Sequence, residues 1–171
     1  MTELDPRPDV PDLDESEPVD LAFAAFRVGG QWQVDDLDDD DVESVATLGA
    51  ALREFDGDAG ALALVTVDDD FFVLVRVDGS RTRVLLSDVT ASTEWDLAAS
   101  VLDHLALPDP DEDDDGPAGD LGIVADLGMH PVDMGVLLDD VELYPDEMLS
   151  TIATRLGFGR EFDEAAGLDS L

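Results

Sequence analysis

The chain has 171 residues, 44% of them hydrophobic, with no cysteine and with eight basic residues, all arginine, against forty-four acidic ones, for a formal charge of −36. That balance argues against direct nucleic-acid binding, which depends on cationic side chains displacing counterions, and the missing cysteines remove disulfides, thiolate ligands and cysteine nucleophiles together. The hydrophobic content is that of a folded protein, long enough for one core or one core with a small satellite.

Residues 1–19 hold four prolines and little apolar periodicity, which predicts a disordered acidic tail. They show neither a basic nor an apolar leader region, and no later stretch reaches the ~18 apolar residues of a membrane span. A soluble, cytoplasmic protein is expected. Much of the charge sits in three runs: residues 1–20 sum to −7, 35–41 to −6 and 109–120 to −7.

From Leu21 to Val28 the run LAFAAFRV, then Gly29 and Gly30, then QWQV predicts a hairpin, because two glycines supply the positive φ angles of a two-residue turn. Val42, Val45, Leu48, Leu52 and Phe55 recur at helical spacing, and acidic residues precede that helix at its positive end. Gly57 to Gly60 end it. Three strands follow at 61–67, 71–77 and 81–87, separated by aspartate-rich and Asp-Gly turns, so they run consecutively and antiparallel. Thr93 is placed to cap a further helix, with Asp96 three residues on and Leu97, Ala98, Val101, Leu102 and Leu105 as its apolar stripe.

The expected fold class is therefore α+β: a five-stranded antiparallel sheet in the order ββαβββα over residues 20–107, with its helices packed on it. The order resembles that of profilin-like and roadblock-like domains in topology alone. Residues 108–118, PDPDEDDDGPA, form a linker by composition. Residues 119–171 are expected to form a small helical C-terminal domain, with Pro145 opening one helix, Asp146 and Glu147 at its positive end, and Gly157 closing it.

Chemical motifs are incomplete. Asp111, Asp113, Asp115 and Gly116 match the opening of a calcium loop, but the twelfth position is Gly122 instead of a bidentate carboxylate. The DxDxV string of Asp38 to Val42 follows two further aspartates and has no lysine to serve it, so it reads as a solvated run before a helix. His104 and His130 have no partners at zinc-site spacing. No cofactor, no metal site and no catalytic residues are expected.

Arg76, Arg81 and Arg83 cluster on the least acidic segment, where they either pair with carboxylates on a solvated sheet face or receive an anionic partner group. Tyr144, Asp146, Glu147 and Phe158 are the other candidates for contact with a partner. Packing competes with that role for the aromatics, since Leu143 or Tyr144 before Pro145 can staple a helix start and Phe158 can close its end.

The segments LAFAAFRVGGQWQV, FFVLVRVDGSRTRVLLSD, GDLGIVADLG and LYPDEMLSTIATRLGFGREFDEA resemble the actinobacterial tRNA adenosine deaminase-associated proteins, over residues 20–107 and 119–167. The resemblance implies an accessory role beside a deaminase and brings no catalytic residues with it. The chain is not itself the deaminase: that enzyme needs an H-x-E and a P-C-x-x-C motif for its zinc, whereas His104 and His130 are followed two residues later by Ala106 and Val132. A non-catalytic protein that binds a basic partner such as this enzyme is the leading expectation. The other reading is an independent regulatory or ligand-sensing domain, which would need a pocket between sheet and helices.

Overall fold

The computed structural model describes residues 19–166 apart from 56, 59, 68–70, 80, 109–115 and 141. The acidic tail up to residue 18, most of the linker and the calcium-loop-like aspartates lie outside the described residues. Six strands form one antiparallel sheet: β1 (Val19–Val28), β2 (Gln31–Asp36), β3 (Ala61–Val67), β4 (Phe71–Asp78), β5 (Arg81–Leu86) and β6 (Ala118–Gly119), in the order β2-β1-β3-β4-β5-β6. Gly29 and Gly30 take φ of +60° and +85° and pair Val28 with Gln31 across the expected turn.

The sixth strand corrects the expected five. Ala118, the last residue of the expected linker, and Gly119, the first of the expected helical domain, pair with Leu86 and Leu85. Two residues are too few to show alternation. Gly119 is also required there, because its φ is +115° and a Cβ would lie 2.3 Å from the Val84 carbonyl oxygen.

Helices cover both faces. On one lie α1 (Val45–Leu52) and α2 (Asp96–Leu105), whose Leu48, Leu52, Ala98 and Val101 meet Val65, Phe71, Val73 and Val75. Ser44 caps α1 by accepting from the Thr47 N–H at 3.2 Å. Asp88, and not Thr93, makes the capping contact in the approach to α2: it starts a 3-10 turn, Val89–Thr93, and α2 begins after Trp95.

On the other face lie α3 (Pro131–Leu138), α4 (Pro145–Leu156) and α5 (Gly159–Ala166). Their Met134, Leu149, Ile152, Phe158 and Phe162 pack on Phe23, Leu64, Phe72, Leu74 and Leu85. The C-terminal segment thus shares a core with the sheet. Strands β3 and β4 are buried along nearly their whole length, which is why both read as unbroken apolar runs instead of alternating ones.

Edge strand β2 is joined to this layer by Trp32. Its indole N–H donates to the Leu156 carbonyl at 3.0 Å, and its ring meets that of Phe158 with centroids 4.6 Å apart.

Candidate functional site

Alternation along β4 and β5 sends Arg76, Arg81 and Arg83 to the same face as Phe72, Leu74 and Leu85, the face that the C-terminal segment covers. Arg76 lies directly opposite Arg83, and Arg81 opposite Asp78. Arg81 is exposed and Arg83 reaches Asp120 at 3.5 Å. Arg76 departs from the solvated setting expected for it, being only 1% exposed.

The buried guanidinium is closely held. Its Nη1 donates to the Ile123 carbonyl at 2.9 Å and to Asp126 at 2.6 Å, while Nη2 donates to the second Asp126 oxygen at 2.9 Å. Asp126 sits in a short 3-10 turn, Ala125–Leu127, just before α3. A two-pronged pair of this kind fixes orientation as well as charge. The cluster therefore ties the central strand β4 to the C-terminal segment.

The Arg76 hydrogen bond holds the Asp126 carboxyl below its ordinary value, against a smaller opposing effect of burial. A depressed carboxylate contributes stability that is present above the unfolded-state value and lost as pH falls through the folded one. Wild type is therefore expected to melt above an Asp126→Asn variant near neutral pH, with the gap narrowing below about pH 4. Thermal melts of both proteins across that range provide the measurement, and a gap independent of pH would contradict the assignment.

A shallow depression beside this pair is lined by Arg27, Trp32, Leu62, Arg76 and Leu127, is open to solvent and has room for about one water molecule, about 10 Å³. Arg27 lies over the Trp32 ring, 5.5 Å from its centroid. The space falls below the roughly 300–1,000 Å³ of small-molecule sites. Among the described residues, no three His, Asp or Glu side chains are grouped so as to hold a metal ion.

The remaining predicted contact residues separate. Phe158 is fully buried against Trp32. Glu147 accepts from the Tyr144 N–H at 3.0 Å and Asp146 from the Glu147 N–H at 2.8 Å, so both acids serve the start of α4. Leu143 packs into the core below that helix start. Tyr144 remains 62% exposed.

Two valines of α3, outside the expected candidates, are the most exposed large hydrophobic residues described. Helix α3 is capped by His130, whose Nδ1 accepts from the Val132 N–H at 3.1 Å. It buries Met134 and Leu137 and leaves Val132 and Val136, one turn apart, each 66% exposed. The signal was present: PVDMGVLL carries one charged residue in eight, and a helix so apolar cannot turn every side chain inward from a surface position.

The features together define a small α+β protein with one sheet closed on both faces and a solvent-facing apolar stretch beside a helix start. No described helix is long and apolar enough to cross a membrane. The chain belongs to the Rv3753c-like tRNA adenosine deaminase-associated protein family, whose model matches residues 20–159. It is 39% identical over 145 residues to Protein Rv3753c of Mycobacterium tuberculosis, covering 82% of this chain and 84% of that protein. No solved structure matches it.

Proposed function

We propose that this is a non-catalytic accessory protein that acts in the cytoplasm by binding a basic protein, foremost a tRNA adenosine deaminase. The family description supplies the candidate partner. The observation that carries the binding role is the surface: three large apolar side chains, Val132, Val136 and Tyr144, stand in solvent within a strongly acidic chain. An enzyme that handles tRNA presents cationic groups to phosphate, and an acidic protein is steered to such a surface.

Co-expression of the chain with the deaminase of the same organism, followed by pull-down at moderate salt, tests the reading. A complex that persists at micromolar concentrations is expected. Its absence would remove direct association.

A further inference from the structure

We infer that the exposed residues Val132, Val136 and Tyr144, with Asp139, Asp140 and Glu142, form the docking surface, and that its occupant is a protein surface with an apolar recess rimmed by lysine or arginine. The inference rests on the accessory reading above and adds where the contact is made. Val132 and Val136 stand on one side of α3, opposite the buried Met134 and Leu137, and helical spacing carries the same stripe on to Asp139 at the helix end. Neither valine supports the core. Tyr144 follows after a short turn, its ring likewise exposed although the Leu143 beside it packs inward.

The surrounding charge selects the occupant. Residues 132–147 contain six acidic and no basic residues, and Asp139, Asp140 and Glu142, which follow the valines in the chain before the tyrosine, are all exposed. Among the described residues, Asp133 is the one of these acids engaged by an arginine, Arg155, at 3.2 Å. Apolar contacts bordered by polar and charged groups are the usual anatomy of a specific interface. A second copy of this chain would set two such acidic rims against each other, within molecules of charge −36 each, so like-charge repulsion opposes self-association. A cationic partner meets the rim with opposite charge.

The test measures binding of the full-length chain to the purified deaminase of the same organism. The variants are Val132→Ser/Val136→Ser/Tyr144→Ser, Asp139→Asn/Asp140→Asn/Glu142→Gln, and, as a control on the helix layer of the opposite sheet face, Ala46→Ser, an exposed position of α1. Removing the three apolar side chains is expected to weaken binding about 30-fold, mainly through faster dissociation. Neutralising the rim is expected to slow association and flatten its dependence on salt, while Ala46→Ser binds as wild type. Circular dichroism melts confirm that each variant folds.

Wild-type affinity in the apolar variant overturns this surface and leaves the accessory role standing. No binding by the wild-type chain overturns both. Sedimentation that shows a dimer abolished by the apolar substitutions also overturns the inference, by giving the face to a second copy.

Discussion

Replacing Phe158 by alanine is expected to destabilise the protein by about 3–5 kcal/mol, the range for emptying the site of a buried aromatic ring. The residue lies just beyond α4, after Gly157, whose φ of +109° turns the chain sharply. Its N–H donates to the Ala153 carbonyl at 2.9 Å, and its ring fills the space under Trp32. Trp32 in turn holds the Leu156 carbonyl. Removing the ring leaves a cavity and loosens the contact between edge strand β2 and the C-terminal helices. Urea unfolding followed by tryptophan fluorescence measures the loss; a change under about 1 kcal/mol would deny Phe158 this role.

The second large effect is expected at Arg76. Arg76→Ala should cost about 3 kcal/mol, because it empties a buried volume and strips the Ile123 carbonyl of its donor. Asp126, 58% exposed, can return to water, so most of the loss falls on the buried side. Arg76→Met keeps much of the volume and removes the need to pair a buried charge but still leaves the Ile123 carbonyl without this donor, and is expected to cost about 1–2 kcal/mol, less than alanine. The two variants separate packing from ion pairing in a single denaturation series. Equal damage from both would assign the anchoring to the polar contacts of Arg76 with Ile123 and Asp126 instead of to filled space.

Much of the sheet was legible in the sequence because its connections are local. The Gly29-Gly30 turn, the strands that begin at Ala61, Phe71 and Arg81, and the apolar stripe of α2 all follow from spacings of a few residues. β6 was not, since a two-residue strand has no period to read. The runs ALALVTV and FFVLVRV did carry evidence of helices on both faces, because a strand with one wet face would alternate.

The candidate site was less legible, for the same physical reason in each case. Arg76 and Asp126 stand fifty positions apart, and nothing in the local pattern around either residue announces the other. Tyr144 was singled out as an aromatic at a helix start, and its exposure follows once Leu143 takes the inward position. Val132 and Val136 were hidden by the opposite habit, that of sending apolar helical residues to the core.

Closure of the second face by residues 123–162 has a consequence for the order of events during synthesis. When the ribosome has released the chain only as far as β6, five strands and both helices of the first layer are available, yet Phe72, Leu74 and Leu85 still have no cover. They remain wet until Phe158 and Phe162, close to the end of the chain, have left the exit tunnel. A nascent sheet in that condition is prone to stick to its neighbours. The acidic runs at 1–20, 35–41 and 109–120 are already synthesised by then, so two molecules at that stage carry like charge, which opposes association.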